Sequence, residues 1–393
     1  MQKSNISILK KLIGKIHLWG GLVSGIVVFI VSITGCLFVF EQEIREFTQK
    51  EYRFVVPENS PKASLSLITL NLAKAFPDKK IEQVRFFSDP SRAVIAKLVA
   101  SKSTQKAKKE EEESYKEAYF LHPNSGELIS KKDFEHDFMH TIQEIHTSLL
   151  LGETGKWIIK ANVVIFLIML LSGLYMWWPS KKNQRKMAFR LNLKGKTQIV
   201  NYSIHNVLGF YFLLPLILIS LTGIWWAIKP VQKLTYATLD EKMKEKVKVS
   251  SNFQAGKIFS PQSAFEAVST TYAGWKEAHI NFPQKSKDCI RVNLKYPYEV
   301  YKKNNLFEFD QYSGKILRSE LYTNYKTVDK IKHANRDLHT GQNYGIIGKL
   351  IAFFSSLFAA SLPITGFLIW YFKKFKKTTK NKIVRKTKNV EFA

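Results

Sequence analysis

The stretch HTIQEIHTSLLLGETGK at residues 140–156 recurs as HANRDLHTGQNYGIIGK at residues 333–349, with every shared landmark displaced by 193 positions. His140, His146, Thr147, Gly152, Gly155 and Lys156 align with His333, His339, Thr340, Gly345, Gly348 and Lys349, and farther along Gly173 aligns with Gly366 and Trp177 with Trp370. A second set lies upstream of each stretch: HLWGGL at 17–22 with Thr34-Gly35 matches HNVLGF at 205–210 with Thr222-Gly223, a displacement of 188. Self-similarity at a fixed displacement marks a duplicated unit. The chain therefore reads as two copies of one plan.

Four apolar runs flank these landmarks, at Leu18–Phe40, Trp157–Trp178, Leu208–Ile228 and Ile347–Phe372. Each has about 20 residues or slightly more, enough for a helix rising about 1.5 Å per residue to cross about 30 Å of hydrocarbon. The expected fold is an integral membrane α-helical protein with four transmembrane helices, at 17–40, 157–178, 205–228 and 347–372, forming two tandem pseudo-twofold repeats. The first run is read as a retained anchor, because Phe38, Phe40 and Glu41 stand where a cleavage site needs small residues.

The net charge of +28 is concentrated in the N-terminus (1–16), in Lys181–Lys196 and in the tail Lys373–Lys388, none of which contains an acidic residue. Basic segments abutting apolar runs follow the positive-inside rule and place both termini and the middle loop (179–204) in the cytoplasm. They point to membrane lipid, not nucleic acid, as the partner. The long segments 41–138 and 229–331 then face the other side, followed by the histidine-bearing segments 139–156 and 332–346.

Helical spacing at Ser64–Phe76 and Ser260–Tyr272, strands at Val84–Phe87 and Cys289–Leu294, and Gly turns within Pro123–Ile129 and Gln311–Leu317 predict one small α+β domain per copy. Ser101–Lys116, rich in Lys and Glu, reads as a solvated hairpin or loop. With only Cys36 and Cys289 present, neither a disulfide framework nor cysteine-held zinc or iron–sulfur is available.

Six of the nine histidines occupy matched places: His17 with His205, His140 with His333, His146 with His339. A twofold axis along the membrane normal brings equivalent residues face to face. His17 and His205 begin spans on the cytoplasmic side, and His146 and His339 precede spans on the outer side, so pairing within a level yields two bis-histidine sites. Two axial imidazoles across an apolar cavity suit haem iron better than zinc, which takes about four protein ligands, or copper, which often adds Cys or Met. The expectation is two haem b groups, held by His17 with His205 and by His146 with His339. Without a CxxCH there is no covalent attachment. His140 and His333, about 120° around a helix from His146 and His339, stand as alternative ligands or as partners of a propionate or substrate. Lys156, Lys349 and Arg336 are read as interfacial anchors or propionate partners. Gly20, Gly21, Gly25 and Gly209, with Gly35, Gly173, Gly223 and Gly366, fit close helix packing or room for a macrocycle. Trp177, Trp178, Trp225, Trp226 and Trp370 mark span ends.

Taken together, Lys15-x-His17-x-Trp19-Gly20-Gly21, the two His-Thr-x4-Gly-x2-Gly-Lys elements, the Ser/Thr-Gly-x3-Trp span ends and the Asn124-Ser125-Gly126 and Tyr312-Ser313-Gly314 turns resemble the PepSY-associated transmembrane helix family over nearly the whole chain. The third span departs from it, with Val207-Leu208 in place of Trp19-Gly20. The resemblance implies PepSY-like domains in the periplasm and a role like that of ferric-siderophore reductases of the bacterial inner membrane, an oxidoreductase activity on an Fe(III) chelate. No G-x-G-x-x-G follows a strand and no P-loop occurs, so the electron donor would be a quinol or a reductase protein. Two other classes stand beside this one: a cofactor-free membrane-anchored PepSY protein that binds peptide or regulates a peptidase, and a metal or siderophore permease. The permease is disfavoured by the lack of intramembrane carboxylates.

Overall fold

The computed structural model describes residues 2–100, 117–134, 137–179, 182–239, 249–298 and 300–376. The loop expected at 101–116 and the basic tail beyond 376 lie outside the described residues. The principal helices are α1 (Gln2–Val39), α2 (Leu65–Ala75), α3 (Phe138–Ser148), α4 (Gly152–Trp177), α5 (Thr197–Ser203), α6 (Leu213–Ala227), α7 (Pro261–Thr271), α8 (Thr327–Thr340) and α9 (Gly345–Tyr371). The strands are β1 (Lys79–Phe87), β2 (Val94–Ala100), β3 (Glu117–Leu121), β4 (Leu128–Asp133), β5 (Glu277–Asn281), β6 (Cys289–Tyr296), β7 (Lys303–Asp310) and β8 (Ile316–Glu320). The chain forms two units, one of Met1–Phe40, Ile142–Leu234 and Arg336–Ala393, the other of Glu41–Thr141 and Thr235–Asn335.

The first unit is helical. Three of its helices, over Ile8–Val39, Gly152–Trp177 and Gln342–Phe375, are long and apolar enough to cross a membrane. The first belongs to a helix that begins at Gln2, so the helix runs through the basic stretch before His17. The third apolar run is not straight: Thr197–Tyr211 and Leu213–Ala227 meet at a 64° bend. Its causes are legible in the chain. A π-turn occupies Ile204–Leu208, and Pro215 has no N–H to donate back across Phe212. α1 packs on α9 and α4, and α6 packs on the same two helices. Leu170, Leu216, Phe358 and Ala359 fill the middle, where Phe212 stacks on Phe358 with centroids 5.1 Å apart. A Cβ at Gly25 would lie 3.1 Å from Pro363 Cβ, so this glycine lets α1 approach α9 at its proline. Val23, Ile26, Leu214 and Ile347 stay exposed, apolar side chains suited to lipid.

The second unit is an antiparallel eight-stranded sheet in the order β4-β3-β2-β1-β5-β6-β7-β8. Each copy of the sequence supplies four consecutive strands, and β1 pairs with β5 from Gln83↔Asn281 to Phe87↔Glu277. The two domains expected from the sequence are thus joined edge to edge into one sheet. The pairing removes two open strand edges that would otherwise invite association. One face buries Val84, Ala278, Ile280, Val292 and Phe307 under Leu65, Ile68 and Leu72 of α2 and Ala264 and Val268 of α7. Both helices start as sequence chemistry dictates: the Ser64 hydroxyl accepts from Leu67 N–H, and the Ser260 hydroxyl accepts from Gln262 N–H with Pro261 in the first turn. Gly126 and Gly314 both adopt φ +71° in the predicted Ser-Gly turns, a backbone conformation that side chains disfavour.

Candidate functional site

In the helical unit the matched histidines meet in pairs. His17 on α1 and His205 in the π-turn have ring centroids 6.4 Å apart and nearly perpendicular planes. His146 at the end of α3 and His339 at the end of α8 have centroids 6.2 Å apart at 76°. Each ring uses Nδ1 on a hydroxyl of another helix. His17 Nδ1 lies 2.9 Å from Ser172 Oγ, and His205 Nδ1 lies 2.8 Å from Thr365 Oγ1. In the second pair, His146 Nδ1 lies 3.1 Å from Thr34 Oγ1 and 3.0 Å from the Val31 carbonyl, and His339 Nδ1 lies 2.9 Å from Thr222 Oγ1.

The residue after each hydroxyl is glycine, and each glycine faces the imidazole carbon Cε1. A Cβ at Gly173 would come within 3.2 Å of His17 Cε1, at Gly35 within 3.4 Å of His146 Cε1, and at Gly223 and Gly366 within 3.5 Å of His339 and His205. Of the other glycines singled out in the sequence, Gly20 yields to the Met169 side chain, while Gly21 and Gly209 have nothing within 4 Å.

The His-Thr-x4-Gly-x2-Gly stretches explain themselves in three dimensions. After His146 the chain reverses through Leu149 and Leu150 at φ 53° and 59°, and after His339 it reverses through Gly341 at φ 75°. The second glycine of each stretch then passes against the carbonyl at the end of the histidine helix. A Cβ on Gly155 would sit 1.6 Å from Ser148 O, and one on Gly348 would sit 2.0 Å from Gly341 O. No side chain fits there, and the tight turn fixes where His146 and His339 stand. Around this pair Phe38 stacks on His146 at 6.5 Å, Trp226 lies 5.8 Å from the His339 ring, and the Arg336 guanidinium lies 5.6 Å over Phe38.

The four histidines and their four hydroxyl partners fall within residues 15–373, which match the model of the PepSY-associated TM region. The chain belongs to the PepSY-associated TM region family. It is therefore a membrane protein carrying that region, and no curated protein matches it. In this PepSY-associated chain the remaining matched histidines stand elsewhere. His140 and His333 belong to the sheet unit. His333 stacks on Tyr325 with centroids 4.6 Å apart, and burial pushes its pKa below the usual value. The His140 N–H donates to Asp137 Oδ2 at 3.3 Å, near the start of α3. Lys156 is paired with Glu153 at 2.6 Å, and Lys349 is buried. Among the described residues no cluster of three or more His, Cys, Asp or Glu could hold a metal ion, so each histidine pair offers two donors. The four hydroxyls escaped the sequence reading as site residues. Their signal was a hydroxyl-glycine dipeptide in each of the four apolar runs.

Proposed function

We propose that this chain is a haem-b electron-transfer protein of the bacterial inner membrane that reduces an Fe(III) chelate, of the siderophore class, in the periplasm. The reading takes the bent third run as a span, giving four spans in two pseudo-twofold copies with both termini in the cytoplasm. The observation that carries it is the spacing of the two histidine pairs. With a metal–imidazole bond of about 2 Å and about 1.1 Å from ring nitrogen to ring centre, two imidazoles holding one metal between them would have centroids about 6.2 Å apart. The pairs stand at 6.4 and 6.2 Å.

The donor set fits haem in kind as well. Each pair offers two neutral imidazoles, and a porphyrin would supply the further nitrogens that the protein lacks. His17 and His205 would hold the cytoplasmic haem, and His146 and His339 the periplasmic one. When bound, the two haems supply one-electron relay centres across a layer that excludes ions and water. The chain's own part is to fix the imidazoles, keep water out with Leu170, Leu216, Phe212 and Phe358, and present the pair nearer the periplasm to substrate. Fe(II) binds hard-oxygen chelators far more weakly than Fe(III), so a reduced chelate would release its iron. The donor would be a quinol or a reductase protein.

Purification in mild detergent after haem-replete expression, followed by oxidised and reduced spectra and pyridine haemochrome, tests this. The expected result is sharp reduced α and β bands with about two haems b per chain, falling to about one in His17→Ala or His339→Ala and unchanged in His140→Ala and His333→Ala. A colourless protein would refute it in favour of a cofactor-free PepSY binding protein.

A further inference from the structure

We infer that Thr34, Ser172, Thr222 and Thr365 are positioning residues that lock the four histidines as Nδ1–H tautomers, leaving each Nε2 with its lone pair for a metal. The inference deepens the bis-imidazole reading and rests on it for the identity of the metal, but the tautomer itself follows from hydrogen-bond accounting.

A hydroxyl has one hydrogen to give and two lone pairs to receive. In all four residues the hydrogen is committed to the residue's own helix. Thr34 Oγ1 lies 2.9 Å from Ile30 O and 3.0 Å from Val31 O. Thr222 Oγ1 lies 2.8 Å from Leu218 O and 2.9 Å from Ile219 O, and Thr365 Oγ1 lies 2.9 Å from Ser361 O and 3.1 Å from Leu362 O. Ser172 Oγ lies 3.1 Å from Met169 O. With the hydrogen given backwards, the oxygen can only accept from the imidazole facing it, so Nδ1 must carry the proton.

A second acceptor points the same way. The Val31 carbonyl, which cannot donate, lies 3.0 Å from His146 Nδ1. The Nδ1–H of His146 thus sits between a hydroxyl and the turn behind it. The backbones of Met169 and Ile219, three residues before Ser172 and Thr222, also hydrogen-bond the rings of His17 and His339.

A neutral imidazole protonated at Nδ1 keeps its lone pair at Nε2, and none of the four Nε2 atoms makes a hydrogen bond among the described residues. Each of these lone pairs is left available to an electrophile. Back-bonding of a helical Ser or Thr to its own carbonyl is common and needs no partner. The pairing of each such hydroxyl with a histidine, and of each following glycine with that histidine's Cε1, is what back-bonding leaves unexplained. Ligating histidines ordinarily have their other nitrogen fixed by such a partner.

The test uses the full chain with Thr222→Val, Thr365→Val and, as the conservative partner, Thr222→Ser. Solid-state NMR of histidine 15N-labelled protein prepared without haem reads the tautomers directly, with Nδ1–H expected at four histidines and one of them lost in each Val variant. In haem-replete protein, redox titration should show Thr222→Val shifting only one of the two centres and Thr365→Val only the other. The expected change is about tenfold in the ratio of ferric to ferrous binding, or about 59 mV for one electron, with Thr222→Ser restoring the wild-type value. Nε2–H tautomers in the wild type would overturn the inference, as would Val variants whose potentials and 15N shifts do not move. A colourless wild type that still shows four Nδ1–H histidines would instead remove the haem reading and leave the clamp in place.

Discussion

Replacing Gly348 by alanine should disable the second histidine pair from a distance. The new Cβ would lie 2.0 Å from Gly341 O and 2.8 Å from Tyr344 Cβ, whereas carbon and oxygen rest at about 3.3 Å or more. The obstacle is backbone, so no side-chain rotation relieves it. The turn after His339 must retreat from α9 by roughly 1 Å, and His339 retreats with it. Its Nδ1 is 2.9 Å from Thr222 Oγ1, so a shift of that size carries the contact past the useful hydrogen-bonding range of about 3.5 Å. Overpacking of this kind costs about 1–3 kcal/mol, and the lost hydrogen bond adds about 1 kcal/mol. Alanine's better helix propensity returns at most about 1 kcal/mol. The net expectation is a loss of about 1–3 kcal/mol. Gly21→Ala is the matched control, since nothing lies within 4 Å of a Cβ there, and it should be neutral or stabilising by up to about 1 kcal/mol. Thermal unfolding of both variants in the same detergent measures the difference. If Gly348→Ala proves as stable as the wild type, or Gly21→Ala loses as much, the close approach at Gly348 does not hold the turn.

Two further outcomes concern the sheet unit. Burial works to raise the Glu117 pKa, yet hydrogen bonds from Lys79, Lys131 and Tyr119 bring it down from 4.5 to about 2. A carboxylate depressed in the folded state stabilises above its unfolded pKa, and that stabilisation drains away as pH falls from 4.5 toward 2; Glu117→Gln should flatten acid unfolding in that window, and an unchanged acid profile would contradict the assignment. Ile280 is fully buried on β5 opposite Val84 of β1, at the joint between the two halves of the sheet. Ile280→Ala should cost about 2–5 kcal/mol and shift one shared unfolding transition of all eight strands; a variant in which only some of the strands lose hydrogen-exchange protection would show that the halves fold separately.

What could be read from the sequence was whatever depends on period and repetition. An apolar run of about 20 residues is long enough to span as a helix, so α1, α4 and α9 were legible, and the Ser-Gly turns announced the hairpins β3–β4 and β7–β8. The partners His17 with His205 and His146 with His339 were legible because a duplication says which residues correspond, even without saying where they are. The bend at Phe212 was missed although Pro215 stood in plain view, since a proline within an apolar run reads equally well as a tolerated kink. The β1–β5 joint was illegible for a deeper reason. Pairing between two edges leaves no mark on either strand beyond the alternation that both already carry for their shared helix-covered face. The hydroxyls went unread because a Ser or Thr beside a glycine in an apolar helix has an ordinary packing explanation, and only the contact with Nδ1 distinguishes these four.

The contacts divide in a way that accounts for the duplication itself. His17 is clamped by Ser172 and His146 by Thr34, all four within the first copy, while His205 is clamped by Thr365 and His339 by Thr222, all within the second. The pairings run the other way, each joining one histidine from either copy. One copy can therefore orient its imidazoles but offers a single imidazole at each place. Orientation is a local property that each half encodes for itself; the paired site exists only where two halves meet. The two copies share these eight residues of histidine and hydroxyl but not the course of the span that carries the first histidine, continuous in α1 and bent in the run through His205.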